Sequence, residues 1–311
     1  MSVANPVAPT APPAKTPSWI YRHEEALTAW VLLLPAVLSA VAFVAFPVIM
    51  AIWLSLQSWD LLTPARFVGL QNYVDILFHD PHFRQAVGNT VYFVVGQVPL
   101  TVAVSMLLAV LLNQKLKGVS WFRTAFYTPI VTSTVSVAMV WMWLLNGDFG
   151  LINWALRFLG VAHPPNWLAD PVWSKPALIL MSVWHSAGYF MVIFLAGLQT
   201  IPENLYEAAE VDGAGPWKRF WAITFPLLSS TTFLVIVLLV MDVFNIFDQV
   251  YMMTKGGPNG STETIVYYIY SHGFEWFHMG YACAMAWILF VIVFVLTLIQ
   301  FRLQKRWVHY E

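Results

Sequence analysis

Few residues of this chain have the spacing that hydrolytic or metal chemistry requires. His185 and Ser186 are sequence neighbours, which places their side chains about 100° apart on a helix and prevents them from forming a catalytic dyad. His79 and His82 share a loop, and we interpret them as surface histidines rather than metal ligands. Cys283 is the only cysteine, so a disulfide is excluded and a thiolate metal site is not expected.

The sequence also lacks a phosphate-binding loop. Such a loop, G-x-x-x-x-G-K-[ST], holds phosphates with backbone amides and a lysine, and no Gly-Lys pair occurs in the 311 residues. The glycine-rich stretch 255–260 is typical of a turn instead. Any ATP hydrolysis on which this chain depends must therefore reside in another subunit, and we expect the chain to bind no cofactor.

The apolar segments explain this scarcity of reactive groups. The chain is 59% apolar and 10% charged, whereas a soluble domain carries roughly 25% charged residues. About 20 apolar residues of helix cross a bilayer, and their backbone groups must bond within the segment. We predict an all-α integral membrane protein with six transmembrane helices, because six long windows contain no Asp, Glu, Lys or Arg: 26–59, 85–114, 124–147, 176–202, 220–241 and 276–301.

The distribution of Lys and Arg orients these helices, since cytoplasmic loops retain positive charge. Ten of the 15 Lys and Arg residues lie in the N-terminal segment, the 113–124 loop, the 199–222 loop and the C-terminus. Both termini are therefore predicted to be cytoplasmic. The net charge of −1 gives no basic surface for nucleic acid, so the bilayer is the expected environment.

The predicted organisation has four parts. Residues 1–25 begin with a proline-rich stretch that is too polar to fold, and they are expected to form a disordered cytoplasmic tail. Residues 26–59 hold the first transmembrane helix, which is too long for a signal peptide. Residues 85–301 form the main membrane domain, and 302–311 a cytoplasmic C-terminus.

The cytoplasmic loop 200–226 has the features of a docking element. Thr200 and Glu203 have capping-box spacing, and Gly213 suits the left-handed residue after a helix. A second amphipathic piece follows, before Pro226 opens the fifth span. Attachment to lipid headgroups is the alternative, which three carboxylates beside an anionic leaflet disfavour. The apolar face consists of Leu205, Ala208 and Ala209, and the acidic face of Glu203, Glu207 and Glu210.

The same loop carries a recognisable motif. The pattern of the EAA loop of ABC importer permeases is E-A-A, three residues, G, nine residues, I, one residue, then L-P. The loop resembles this pattern at every position, with Phe225 in place of the Leu. Stretches 184–189 and 248–264 are similar to carbohydrate-uptake permeases of the maltose, lactose and glycerol-3-phosphate type. The matching motif residues are Glu207, Ala208, Ala209, Gly213, Ile223 and Pro226.

This resemblance implies a type I importer permease fold over roughly 85–301, whose loop docks as coupling helices into a cytoplasmic ABC ATPase. It implies four further partners in the inner membrane complex: a homologous second permease, two ATPase copies that bind ATP and Mg, and an extracytoplasmic solute-binding protein. The implied function is that of a permease subunit in an ATP-driven importer of a sugar or sugar-like solute.

A neutral, hydroxyl-rich solute would need amides, hydroxyls and aromatic faces along its path. Six residues of the fourth and fifth spans are candidates, although helix packing or an interface position is the favoured role for each one taken singly. The candidates are Trp184, Ser186, Tyr189, Asp242, Asn245 and Gln249, with Asn89, Thr90 and Gln97 of the second span as second choices.

Two other functions stay open from the residues alone. A gradient-driven secondary carrier usually places ionisable residues inside its spans, and here Asp242 alone lies near one. An integral membrane enzyme would need a nucleophile and a base clustered at a membrane face. No Ser, His and Asp group at a usable spacing is evident.

Overall fold

The computed structural model describes residues 19–114 and 117–307. Residues 1–18, the larger part of the predicted tail, lie outside this description, as do 308–311 of the predicted C-terminus. The chain divides into two compact units, residues 1–51 and 52–311.

The N-terminal helix begins at Trp19, so residues 19–25, assigned above to the tail, are helical. Pro17 is the last proline of the tail, and the chain after it is free to donate backbone N–H groups to a helix. The helix runs as α1 (Trp19–Ala40), a π-helical turn (Val41–Ala45) and α2 (Phe46–Ser55).

The other elements follow in chain order, with two short strands and three further π-helical turns among the described residues. They are β1 (Gln57–Ser58), β2 (Arg66–Phe67), α3 (Gln71–Val74), a turn (Asp75–His79), α4 (Pro81–Leu112), α5 (Val119–Val131), α6 (Thr134–Leu144), α7 (Leu151–Phe158), α8 (Ser174–Thr200), α9 (Glu203–Val211), α10 (Pro216–Arg219), a turn (Phe220–Thr224), α11 (Phe225–Leu227), α12 (Ser229–Phe244), α13 (Asp248–Met253), α14 (Ile265–Tyr270), a turn (Ser271–Glu275) and α15 (Met279–Trp307).

Four described helices are long and apolar enough to cross a membrane, and two bent helix pairs raise this number to as many as six. The α5–α6 pair bends by 100°, and the pair formed by 216–227 and α12 bends by 65°. The third and fifth charge-free windows fall on these bent pairs. The four continuous helices are Thr28–Ser55, Pro81–Leu112, Ser174–Thr200 and Met279–Gln304.

Two prolines are accommodated by widened helical turns. The N–H of Phe46 bonds to the carbonyl of Val41, five residues back, and Pro47 follows. The same arrangement recurs at the turn 220–224, where the N–H of Phe225 bonds to the carbonyl of Phe220 and Pro226 follows. Because proline lacks an N–H and its ring collides with the carbonyl four residues earlier, a π-helical turn moves that carbonyl aside without ending the helix.

The core of the larger unit lies between α4, α8, α12 and the shorter helices around them. Small residues allow the closest approaches. A Cβ on Gly188 would overlap the carbonyl of Phe126, so α5 lies directly on α8 at this point. A Cβ on Gly96 of α4 would stand 2.7 Å from Cδ1 of Ile179. These contacts fix the helices that carry the polar residues described below.

At one end of this unit, the Asp80 carboxylate joins three helices. Its Oδ1 accepts the N–H of Phe83 at 3.0 Å and caps α4. Its Oδ2 accepts the hydroxyls of Tyr268 and Tyr281, each at 2.9 Å. Because Tyr268 lies on α14 and Tyr281 on α15, one buried carboxylate holds the ends of α4, α14 and α15 together.

Candidate functional site

The first candidate site is the helical hairpin formed by residues 203–227. Its first helix, α9, ends as the sequence predicts, because Gly213 adopts a left-handed φ of +74°. The N–H of Gly213 bonds to the carbonyl of Glu210 at 3.0 Å, and that of Ala214 to the carbonyl of Ala209 at 2.8 Å. These two bonds form a Schellman motif, which satisfies carbonyls left open at the helix end.

The predicted capping box at the start of this helix is wrong. Thr200 is the last residue of α8, and its hydroxyl donates to the carbonyl of Gly197 at 2.8 Å. Pro202 occupies the N-cap position and makes no side-chain cap bond. The hydroxyl bonds backwards because the α8 helix continues through Thr200, where Ser and Thr commonly bond a carbonyl of the preceding turn.

The far boundary of the loop also differs from the expectation. Pro226 does not open the fifth span, because it lies within the helical stretch 216–227. The break follows at Leu228, and the apolar helix α12 begins at Ser229. A proline is tolerated in the first turn of α11, whose preceding π-helical turn already displaces the facing carbonyl.

Two side-chain contacts tie the arms of the hairpin to each other. The hydroxyls of Tyr206 and Thr224 lie 2.9 Å apart, and Arg219 Nη1 donates to Glu210 Oε2 at 2.8 Å. Tyr206 also packs on the main core. The predicted acidic face is exposed, since Glu203, Glu207 and Glu210 all reach the surface, and Glu210 also pairs with Arg219 of the second arm.

The motif residues divide between the two faces of the hairpin. Glu207, Ala208 and Gly213 are exposed, whereas Ala209, Ile223 and Pro226 are partly buried. Leu205 is also exposed, and Val211 is 89% exposed. The outward surface of α9 thus combines the carboxylates of Glu203, Glu207 and Glu210 with small and aliphatic side chains, and the inward surface attaches it to the bundle.

The second candidate site is a polar cavity of about 250 Å³ between α4, α8 and the end of α12. It brings together four of the six predicted pathway residues and one second choice. These are Ser186, Asp242, Asn245, Gln249 and Gln97.

An interruption of the helix after α12 creates one wall of this cavity. α12 ends at Phe244 and α13 begins at Asp248, so Asn245 lies on non-helical backbone. Asn245 Nδ2 donates to the carbonyl of Met241 at 2.8 Å, and the Asp242 side chain is exposed. Irregular backbone at membrane depth is tolerated where protein or a water-filled cavity surrounds it.

The opposite wall belongs to α8. Ser186 donates its hydroxyl to the carbonyl of Ser182 at 2.8 Å, and Gln249 Nε2 donates to Ser182 Oγ at 3.2 Å. The second bond joins α13 to α8 across the cavity. This arrangement offers amide and hydroxyl groups to a neutral polar solute.

Trp184 and Tyr189 do not line this cavity. Trp184 faces Trp141 of α6 at 5.8 Å between ring centroids and borders a separate apolar cavity of about 550 Å³. Tyr189 packs edge-on against Phe190, with centroids 5.1 Å apart. Both are partly exposed. Trp184 is two residues from Ser182 and from Ser186 and projects from the opposite side of α8, whereas Tyr189 lies on the same side as the serines but about one turn beyond Ser186.

Asn89 and Thr90, two of the second choices, hold a loop in place. Asn89 Nδ2 donates to the carbonyls of Gly260 and Glu263, at 2.8 and 2.9 Å, and its Oδ1 accepts from Lys175 at 3.0 Å. The hydroxyl of Thr90 donates to the carbonyl of Ala86 at 2.8 Å. Their polar groups are therefore used within the fold.

The sequence analysis missed four polar residues of the cavity, Thr134, Ser182, His185 and Asp248. His185 Nε2 lies 3.3 Å from the carbonyl of Thr132, at the break between α5 and α6. The 100° bend at this break directs Thr134 into the cavity. Neither a charge-free window nor a polar count carries a signal for such a bend, although Pro129 three residues upstream marks a weakened helix end.

Comparison with known proteins places the chain among transport components. Residues 101–309 match the family model described as binding-protein-dependent transport system inner membrane component. The chain belongs to this family. These inner membrane components are transporter subunits, so the hairpin and the polar cavity are parts of a transport protein in a membrane.

Relatives of this inner membrane component are similar over nearly their whole length. The probable ABC transporter permease protein YesP of Bacillus subtilis is 37% identical over 292 residues, covering 93% of this chain and 94% of the relative. The trehalose/maltose transport system permease protein MalF of Thermococcus litoralis is 32% identical, covering 91% and 96%.

A solved structure shares the fold of this inner membrane component. A chain of a bacterial alginate ABC transporter, crystallised in complex with an alginate pentasaccharide-bound periplasmic protein, superposes with a TM-score of 0.81. It is 23% identical, and the match covers 93% of this chain and 97% of that one.

Among the described residues, no group of three or more His, Cys, Asp or Glu side chains could hold a metal ion.

Proposed function

We propose that this chain is one permease subunit of an ATP-driven importer, which moves a sugar or sugar-like solute into the cell. The observation that carries the proposal is the hairpin 203–227, which has the spacing of the EAA loop and displays Glu207, Ala208 and Gly213 on an exposed surface. The relatives named above as permeases, one of them for trehalose and maltose, support the same conclusion.

The hairpin is the part that meets the motor subunit. Its arms are tied by the Tyr206–Thr224 contact and the Glu210–Arg219 pair, so a force on α9 is transmitted to α12 through the stretch 216–227. Small side chains on α9 allow a partner groove to approach closely. We propose that two copies of an ATPase, which bind ATP and Mg, supply such grooves, one to this chain and one to a second permease.

The arrangement in the membrane follows from counting each bent pair as one crossing. Six crossings then place both termini on the same side, and the positive loops make that side cytoplasmic. The α9 helix of the hairpin, which lies between the fourth and fifth crossings, shares this side. It is therefore accessible to a cytoplasmic ATPase.

The solute path in this proposal runs through the polar cavity. Ser186, Asn245 and Gln249 offer neutral hydrogen-bonding groups there. Its volume of about 250 Å³ is below the roughly 300–1,000 Å³ of usual ligand pockets. A homologous second permease would complete it, and an extracytoplasmic binding protein would deliver the solute, as the alginate transporter's complex with its periplasmic protein illustrates.

The docking surface is tested by Glu207→Ala in the assembled transporter. We expect less ATPase to co-purify with the permease, and lower maltose- and trehalose-stimulated ATP hydrolysis, because the exposed carboxylate is lost from the contact. Glu210→Ala is the matched control, since it removes the same charge from the same helix but faces Arg219. Equal effects of the two substitutions, or none from Glu207→Ala, would contradict the proposal.

The pathway is tested by Asn245→Ala. The substitution keeps the backbone N–H of Asn245 that closes α12, and it removes only the side-chain bond to the carbonyl of Met241. We expect altered stimulation of ATP hydrolysis by sugars with unchanged assembly. Uptake that is unaffected for every sugar tested would assign Asn245 to packing.

A secondary carrier is tested by a different experiment. Uptake by this chain alone, driven by an ion gradient in liposomes, would favour a secondary carrier over the proposed function.

A further inference from the structure

Gln97 stands apart from the other polar residues of the cavity. It lies in the middle of α4, is 2% exposed and lines the cavity wall. Its Oε1 has no hydrogen-bond partner among the described residues. A buried acceptor without a partner destabilises a fold unless a molecule in the cavity bonds to it. Such a group therefore needs a partner that binds from outside the chain.

The neighbouring polar groups have partners within the chain. Ser186 bonds the carbonyl of Ser182, and Gln249 bonds the hydroxyl of Ser182. Asn245 bonds the carbonyl of Met241. Polar residues that hold helices together act through such bonds. Because Gln97 Oε1 makes none, helix packing does not explain this atom.

The position of Gln97 along α4 supports this distinction. Thr90 and Ser105 lie on the same side of α4, two turns away in either direction, and both hydroxyls donate to backbone carbonyls, those of Ala86 and Ala187. Thr101, one turn from Gln97, is fully buried and its Oγ1 lacks a partner among the described residues. The unpaired atoms of this stripe are thus confined to the stretch of α4 next to the cavity.

We propose that Oε1 of Gln97 accepts a hydrogen bond from a hydroxyl group of the transported solute and selects for that hydroxyl. This inference rests on the proposed function. A neutral acceptor pairs with a hydroxyl donor, whereas an ionised carboxylate or phosphate offers only acceptors and leaves Gln97 unpaired. Sites that bond a substrate hydroxyl discriminate strongly against analogues without one, because the buried group then loses its partner.

The first test is thermal unfolding of the assembled transporter without solute, with Gln97→Met. Methionine has a similar length and removes the unpaired acceptor. We expect the Tm to stay level or rise by about 2 to 4 °C. Thr90→Val is the matched control on the same helix, and it should lower the Tm because it breaks bonds to Ala86 and Ile265. A lower Tm for Gln97→Met would reveal a structural partner for the amide and overturn the inference.

The second test measures access from water. In a Cys283→Ala background, Gln97→Cys is labelled with methanethiosulfonate ethylammonium in the assembled transporter. We expect labelling about tenfold faster than for Phe93→Cys, one turn away and fully buried, because only an accessible thiolate reacts. Equal rates would overturn the inference. The proposed function is tested separately by Glu207→Ala, because Glu207 is on α9 and Gln97 is on α4. If Glu207→Ala leaves ATPase binding intact, the proposed function is contradicted, whatever the result at Gln97.

Discussion

The contacts of Asp80 make a quantitative prediction about how the helix ends are held together. Asp80 is 8% exposed and accepts three hydrogen bonds, from the N–H of Phe83 and from the hydroxyls of Tyr268 and Tyr281. Each bond ends on a charged oxygen, and such bonds are roughly twice as strong as neutral ones. Replacing this carboxylate therefore affects three helices at once.

The size of the effect depends on the substitution. Asp80→Ala removes an N-cap and leaves two phenol hydroxyls without their acceptor, so we expect a loss of about 3 to 5 kcal/mol in the free energy of unfolding. Asp80→Asn retains a good N-cap and one oxygen, so a loss of about 1 to 2 kcal/mol is expected. Tyr268→Phe combined with Asp80→Asn should cost less than the sum of the single changes, because both remove the same bond.

The stability should also depend on pH. Burial alone would raise the pKa of Asp80, but the bonds from Phe83, Tyr281 and Tyr268 outweigh it and the pKa lies below its ordinary value. The folded state therefore binds its proton less readily than the unfolded state. This contribution is complete above about pH 4 and is lost as the pH falls through the lowered pKa.

A nearby histidine titrates over a different pH range. Burial and the neighbouring His278 lower the pKa of His272 to about 4, so protonation destabilises the fold as the pH falls from about 6.5 towards this value. This loss should occur with and without Asp80. The loss below about pH 4 should be present in the wild-type chain and absent from Asp80→Asn.

The assay is thermal unfolding of the purified transporter in detergent, from pH 3 to pH 7, for the wild type, Asp80→Asn and Tyr281→Phe. The reasoning is refuted if Asp80→Asn and the wild type lose stability in parallel below about pH 4. It is also refuted if Asp80→Ala is no less stable than Asp80→Asn, because the two phenol bonds would then contribute nothing.

Two other contacts give further predictions, one of a large effect on folding and one of a small effect on stability. Gly188→Ala should prevent the chain from folding, because the added Cβ would overlap the carbonyl of Phe126. Gly88→Ala is the control, since a Cβ there meets no atom within 4 Å and the chain should fold normally. The yield of monodisperse protein in detergent distinguishes the two variants. Arg219→Gln should lower the free energy of unfolding by at most about 1 kcal/mol, because its partner Glu210 is 74% exposed. A larger loss in a denaturation series would contradict this and would mean that the hairpin depends on the pair.

The long apolar helices could be predicted from the sequence, because a helix that spans a bilayer must exclude charge over its whole length. The ends of α4 and α8 lie within a few residues of the charge-free windows 85–114 and 176–202. The bends could not be predicted in this way. The breaks at 132–133 and at Leu228 fall inside windows that hold no charge, so the absence of charge does not mark them.

The hairpin was predictable where a single residue determines the local backbone. Gly213 is left-handed because a Cβ disfavours that conformation, so the helix end follows from the residue type. The start of α9 depends instead on where α8 ends, which a capping pattern does not specify. The pairing of Glu210 with Arg219 depends on the fold of the second arm back onto the first.

The polar cavity was predicted in part, because residue type alone does not tell which side of a helix faces inward. Ser186 and Asn245 line it, but Trp184, two residues from Ser186 on α8, points to another cavity. Residues two apart on a helix lie on opposite sides. The separation of Trp184 from Ser186 follows from this geometry, and selecting one of the two requires the packing of α8 against α4.

The breaks in the helices are where an importer of this construction can change shape. Transport needs two states of similar free energy, and packed helices move as rigid bodies about a few positions that absorb the change. The Asp80 end is held by three charge-assisted bonds, so it is poorly suited to such a position. Leu228, between the hairpin and α12, already interrupts the helix with a 65° bend. Movement of the hairpin should therefore tilt α12, and with it Asn245 at the cavity, about Leu228.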